Sequence, residues 1–293
     1  MADPRLLVAG LLLVDSLHFI FARLLLPLMP PAAGAMYMMV LGTAEIALLM
    51  RGRIDWRAFW RHRGLFIALG LLVGVNTNMG FAAMRYIDPG TASVLSLTSI
   101  PLGVALGVAW LGERLSATEL LGASIAFLGV LAISLQPGEY LRWGSAMIVA
   151  AAFLYAAHSA VAKRHGGDVP FGEFLFFRAA AVAGVLVMLV LAQGELMWPP
   201  ALAWGWLLVA ATVNVVISRG LFYLALRQLE MSFLTIILTL TPVVTWLWSI
   251  LLFGGRPGRI ELLGGAATLI GVLIVTSSRA GLLGLRRVPR GAR

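Results

Sequence analysis

The chain has no cysteine, which removes disulfides, thiolate metal sites and a cysteine nucleophile together. Charge is scarce too: 12% of 293 residues, where a soluble domain carries about 25%. Histidine occurs four times, at His18, His62, His158 and His165, without the clustering that a metal site or a catalytic centre needs. No cofactor and no metal are therefore expected, and an intramembrane enzyme is the weakest of the readings. The 22 Lys and Arg against 13 Asp and Glu do not line one basic face with interleaved aromatics. Nucleic acid is thus not an expected partner, and the positive excess reads as membrane orientation.

What is present is apolar. Hydrophobic residues make up 60% of the chain and the mean hydropathy is +0.94, which is membrane-grade. A helix rising about 1.5 Å per residue crosses about 30 Å of hydrocarbon in roughly 20 residues. Ten segments meet that length: 6–25, 33–50, 65–85, 90–111, 117–135, 143–163, 171–191, 201–226, 231–253 and 259–278. Proline and glycine punctuate the joints, as in Asp88-Pro89-Gly90, Pro137-Gly138, Pro199-Pro200 and Gly254-Gly255. The first segment carries Asp15 and His18 and reads as a retained span rather than a cleaved leader.

The chain repeats itself. Thr98 and Pro101 recur as Thr239 and Pro242 at an offset of 141. Gly112, Arg114, Glu119, Gly122 and Gly129 recur as Gly254, Arg256, Glu261, Gly264 and Gly271 at 142. His18 and His158 lie 140 apart. The expected fold is all-α, ten spans in two five-helix repeats, residues 1–138 and 139–293, the second repeat carrying a basic tail. Five is odd, so the second repeat must enter the membrane from the opposite side. The loop between spans 2 and 3 holds Arg51, Arg53, Arg57, Arg61 and Arg63, whereas its counterpart, 192–200, holds none. Over all joints and termini, fifteen Lys and Arg fall on one face and five on the other, which predicts cytoplasmic N- and C-termini.

Inverted repeats place a binding site near the midplane where the halves meet. Pro101 and Pro242 each remove a backbone donor in mid-span, so the stripes Val94–Thr98–Pro101 and Thr235–Thr239–Pro242 are candidate pathway linings. Asp15 and His18 share a helix face, as do Tyr155 and His158, and ionisable groups in hydrocarbon usually face a partner or water. Anchoring of substrate, proton exchange by the histidines and plain interhelical hydrogen bonding all remain open for them. Asn76 and Asn78 cannot both face inward; Asn76 corresponds to Ser218, which shares a face with Asn214. The candidate gate comprises Glu113, Arg114 and Arg219. Glycines such as Gly122, Gly129, Gly264 and Gly271 read as packing residues, Met36, Met38, Met39, Trp246 and Trp248 as packing or lipid-facing groups, and Glu45 and Arg178 as structural.

Ala83-Met84-Arg85-Tyr86, the run from Ala92-Ser93 to Pro101, Gly112-Glu113-Arg114-Leu115-Ser116, Leu121-Gly122-Ala123 and Gly129-Val130-Leu131 resemble the drug/metabolite transporter superfamily, in particular its ten-span EamA-type exporters. Among subgroups the chain looks most like bacterial amino-acid exporters of the YddG type. The resemblance implies a central cavity lined by spans 1, 3, 4, 6, 8 and 9 and export by alternating access. The chain departs from an even repeat at Gly255, where Glu113 would recur, and at Met38, where the second half has Arg178. The function expected is export of a small-molecule substrate, amino acids foremost, across the bacterial inner membrane. A multidrug or nucleoside-type exporter is the alternative, and a passive channel suits the hydropathy but not the repeat. The lipid bilayer is the other partner, with the protein a monomer or weak homodimer.

Overall fold

A computed structural model of the protein describes residues 4–51, 53–111, 116–134, 139–165, 169–221, 238, 240–255 and 257–284. Apart from short connections these residues are helical, with no strand among them. In chain order the helices are α1 (Pro4–Asp15), α2 (His18–Leu25), α3 (Pro31–Leu49), α4 (Trp56–Arg61), α5 (Arg63–Ala83), α6 (Pro89–Ser96), α7 (Ser99–Leu111), α8 (Ala117–Ser134), α9 (Glu139–His165), α10 (Phe171–Gln193) and α11 (Ala201–Ala210). A π-helical stretch follows at Ala211–Ile217, then α12 (Thr241–Phe253) and α13 (Arg259–Gly284). Seven helical segments are long and apolar enough to cross a bilayer, and 117–133 and Thr241–Phe253 are shorter apolar helices. Together with the pair α1–α2 they account for the ten spans expected.

Local chemistry sets the boundaries. Asp88 caps α6, its Oδ1 accepting from the backbone N–H of Gly90 at 2.9 Å and of Thr91 at 3.1 Å, with Pro89 in the first turn, where its missing donor costs nothing. Ser116 and Glu119 form a reciprocal capping box on α8: Glu119 N–H donates to Ser116 Oγ and Ser116 N–H to Glu119 Oε2. Gly254 closes α12 at φ 64°, a left-handed turn that glycine adopts without penalty.

The expected continuous first span is instead two helices, joined by a turn at Ser16 and Leu17. Span 4 is likewise split, by a turn at Leu97 and Thr98, four residues ahead of Pro101. The Leu97 carbonyl that Pro101 has no N–H to satisfy accepts from Ile100 at 3.0 Å instead. Leu97 N–H bonds Val94 O and Thr98 N–H bonds Leu95 O, both at 3.1 Å, so the chain tightens into i→i+3 pairing across the break. Pro242 sits in the first turn of α12. Thr239 and Thr235, with Glu113 and Arg114, lie outside the described residues.

The inversion of the repeat is visible where α8 meets α13. A Cβ placed on Gly122 would lie 2.7 Å from Gly271 O, and one on Gly271 2.5 Å from Gly122 O. Gly129 and Gly264 oppose each other in the same manner, at 2.5 and 2.7 Å. In the repeat Gly122 corresponds to Gly264 and Gly129 to Gly271, so each glycine faces the copy of the other. That crosswise pairing is what a twofold relation between antiparallel helices produces. Ala126 and its copy Thr268 meet on the axis, Thr268 Oγ1 donating to Ala126 O at 3.4 Å. In lipid no hydrophobic force draws helices together, so close backbone approach supplies the association.

Candidate functional site

Four interruptions of helical structure converge on one cavity: the turns in spans 1 and 4, the π-helical stretch of span 8, and the start of α12 in span 9. The cavity is about 260 Å³. Asp15, His18, Asn76, Tyr155 and Asn214 line it, together with Arg178 and Arg219. Spans 1, 3, 4, 6, 8 and 9 all contribute, and spans 2 and 7 add Met38, Met39, Leu175, Arg178 and Ala179. A π-bulge redirects side chains at the point where it occurs. Here it holds Asn214 more than nine-tenths buried, with its Nδ2 3.7 Å from Met38 Sδ.

The charges are arranged by repeat. Positions related by the sequence offset are Asp15 and Tyr155, Met38 and Arg178, Thr77 and Arg219, and all six line the cavity. The first half therefore supplies the carboxylate and the second half both guanidinium groups. Asp15 Oδ1 accepts from Ser218 Oγ at 2.9 Å and from Arg219 Nη2 at 3.3 Å, an ion pair joining spans 1 and 8 whose side chains are 29% and 28% exposed. Arg178 Nε donates to His158 Nε2 at 3.1 Å, which leaves the neutral imidazole its proton on Nδ1. That Nδ1 is buried without a hydrogen-bond partner among the described residues, as is Asn214 Oδ1. Asn76 Nδ2 donates to Ala151 O at 2.6 Å, tying span 3 to span 6. The His18 ring packs edge-on against Phe19 and Phe81.

Other expected site residues lie elsewhere. Val94 is fully buried in the core, Thr98 is 2% exposed with its hydroxyl donating to Leu95 O at 2.6 Å, and neither they, Pro101 nor Pro242 are among the cavity-lining residues. Ser93, Ser96 and Ser99 line it instead. The expectation assumed an unbroken α-helix, in which positions four and three apart stack. The tightened turn at Leu97–Thr98 has a period near three, which brings Ser93, Ser96 and Ser99 into line. His158 and Ser218 stand just behind the wall, bonded to Arg178 and Asp15. Met38, Met39 and Arg178, read from sequence as packing or structural residues, are on the wall itself. The signal that would have found Arg178 was available: it is the repeat partner of Met38, and a charge that appears in only one copy of a repeat is not needed for packing in both. Among the described residues no three or more of His, Asp and Glu cluster as they would around a metal ion.

Comparison with known proteins agrees with this architecture. A protein of Bacillus subtilis (strain 168) called an uncharacterized transporter, YdfC, is 29% identical over 208 residues, covering 64% of this chain and 62% of that protein. A probable terminal-alkyne amino-acid exporter of Streptantibioticus cattleyicolor is 26% identical over 215 residues, covering 67% of each. The chain thus spans about two thirds of the length of these relatives. A solved crystal structure of a protein 18% identical in sequence shares the fold, with a TM-score of 0.65 over 97% of this chain and 99% of that one. The model of the EamA-like transporter family matches twice, over residues 5–135 and 142–277, once for each half of the repeat: the chain belongs to the EamA-like transporter family, within the drug/metabolite transporter superfamily.

Proposed function

We propose that this protein is a secondary transporter that exports small zwitterionic metabolites, amino acids including aromatic ones, across the bacterial inner membrane. The observation that carries this reading is that the two halves line one cavity with opposite charges, a carboxylate from the first half and two guanidinium groups from the second, each at a position whose repeat partner is uncharged. A solute bearing both charges is complementary to both halves at once and so reports on their relative position. The apolar and aromatic part of the wall, Phe19, Met38, Val73, Ile148 and Tyr155 among it, suits the side chain of such a solute. A volume of about 260 Å³ falls just below the roughly 300–1,000 Å³ of drug-sized pockets, which favours small metabolites over large cationic drugs. The Streptantibioticus relative's description as an amino-acid exporter points to the same substrate class.

In this reading the repeats 1–138 and 139–293 rock against each other along the α8–α13 seam, both termini are cytoplasmic, and the substrate passes Asp15, His18, Asn76, Tyr155, Asn214, Arg178 and Arg219. His158 and Ser218 orient Arg178 and Asp15. The test is counterflow in proteoliposomes loaded with each of a panel of amino acids. Saturable exchange of zwitterionic amino acids is expected. Exchange of nucleosides or cationic dyes with none of any amino acid would replace the proposal with the alternative exporter.

A further inference from the structure

A second, smaller cavity of about 150 Å³ lies at the end of the bundle where span 9 finishes and spans 4 and 10 begin, away from the central site. Asp88, Trp246, Ser249, Ile250, Gly255, Pro257 and Glu261 line it. Its two carboxylates come from different halves of the repeat, Asp88 at the start of α6 and Glu261 in the first turn of α13. Each spends one oxygen on a helix cap: Asp88 Oδ1 accepts from Gly90 and Thr91 N–H, and Glu261 Oε2 from Gly258 N–H at 2.8 Å. Among the described residues Asp88 Oδ2 and Glu261 Oε1 have no hydrogen-bond donor. Both residues are half-buried, and among the described residues neither is ion-paired with a Lys, Arg or His. Arg259, in the same turn as Glu261, is exposed, and Arg256 lies outside the described residues.

Two further polar groups are unsatisfied at the same place. Ser249 is 2% exposed and among the described residues its Oγ has no hydrogen-bond partner; it faces Gly255, where a Cβ would come within 3.1 Å of it. Trp246 Nε1 is buried and has no hydrogen-bond partner among the described residues. The indole is held in position: a side chain on Gly90 would overlap its ring, and a Cβ on Gly265 would lie 2.6 Å from it. Two half-buried carboxylates lining one small pocket repel, and a buried hydroxyl without a partner costs free energy. One occupant removes both penalties, a small cation that takes oxygen ligands.

We propose that this pocket binds a hard divalent cation through Asp88, Glu261 and Ser249, joining span 4 of the first half to spans 9 and 10 of the second. Three protein oxygens leave the remaining coordination positions to water, and 150 Å³ holds about five water-sized volumes at roughly 30 Å³ each. So few ligands imply affinity of about 10⁻⁴ to 10⁻³ M. The site is single-ended. The repeat counterparts of Trp246 and Ser249 are Ala105 and Val108, neither of which supplies a polar atom. An ion bound here fastens the two halves together at one face only, so it favours the state in which that face is closed.

The direct test uses terbium(III) as the probe, on the purified full-length protein stripped of metal in non-ionic detergent. Trp246 is close enough to sensitise its luminescence, so saturable emission under tryptophan excitation is expected, displaced by calcium at about 10⁻⁴ to 10⁻³ M. Asp88→Asn and Glu261→Gln keep the capping oxygens while removing the charge, and each is expected to weaken terbium binding tenfold or more. Ser249→Ala, which touches no cap, is expected to weaken it severalfold. Trp246→Phe should lose the emission but keep the rise in melting temperature on adding calcium. Emission that is unaffected by Asp88→Asn, Glu261→Gln and Ser249→Ala would overturn the proposal. So would an absence of emission in a wild-type protein whose melting temperature ignores calcium. These readouts do not involve transport, so they stand or fall separately from the substrate assignment.

Discussion

The glycine seam between α8 and α13 permits a prediction in which the sign differs between sites. Consider Gly271→Ala. The added Cβ would lie 2.5 Å from Gly122 O and 2.8 Å from Ala126 Cα, about 1 Å inside the optimal 3.5–4.0 Å separation of carbon atoms. Every obstructing atom is backbone, so no rotamer change relieves the contact; the two helices must part. Overpacking of that kind costs about 1–3 kcal/mol. At Gly184 and Gly205 a Cβ meets nothing within 4 Å, and alanine there gains the roughly 0.5–1 kcal/mol by which it exceeds glycine in a helix. Alanine at Gly122, Gly129, Gly264 or Gly271 should therefore lower the melting temperature, and at Gly184 or Gly205 raise it or leave it. With about 2–4 °C per kcal/mol for a chain of this size, the two classes should separate by roughly 2–12 °C. The measurement is loss of monodisperse protein on heating in detergent. The double variant Gly122→Ala, Gly271→Ala should fall less than the sum of its singles, because a seam already opened charges less for the second methyl. Seam variants as stable as Gly184→Ala would refute the close approach of α8 and α13.

Other expectations follow from the cavity. In a chain without native cysteine, Ser96→Cys should react with a hydrophilic thiol reagent and be protected by substrate, whereas Thr98→Cys, buried on the other side of the break, should stay inert; the reverse pattern would mean that span 4 is an unbroken helix. Asp15→Asn removes the carboxylate that pairs with Arg219 and should lower amino-acid counterflow tenfold or more. Because the pair is partly exposed, that change should cost only about 1–2 kcal/mol in stability, well under the roughly 3–5 of a fully buried pair, as a melting curve would show. Arg178→Met makes the position match Met38, its repeat partner; competition assays should then show weakened inhibition by carboxylate-bearing solutes relative to amines lacking a carboxylate. Equal weakening of both would assign Arg178 to packing through His158.

Much of the architecture was legible in the chain. Ten apolar segments, the offset near 141 and the absence of arginine from 192–200 together required an inverted repeat, and the crosswise glycine contacts show it in space. The 200° separating Asn76 from Asn78 on a helix allowed only one of them to face inward, and the correspondence of Asn76 to Ser218, on one face with Asn214, favoured Asn76, which lines the cavity. The cavity-facing side of span 4 was not legible, because the tightened turn at Leu97–Thr98 changes the helical phase, and the stripe through Thr98 was drawn on the α-helical period. The break in span 1 carries no proline, and the π-helical stretch around Asn214 carries no proline or glycine, so neither has a marker of its own. Met38 and Arg178 were each classed by what such residues usually do, although the repeat already paired them.

By itself the sequence determined that this is a membrane protein, how many times it crosses, and that its halves are inverted copies. Those properties are sums over neighbouring residues or comparisons along the chain, and they need no partner in space. Tertiary structure alone decided which polar groups meet. Asp15 finds Arg219 across 204 residues, and Asp88 and Glu261 come from different halves to line one pocket. Such encounters depend on how broken helices turn and how closely glycines let their neighbours approach. A shift of one residue in helical phase, or a single Cβ in the seam, would have chosen different partners from the same composition.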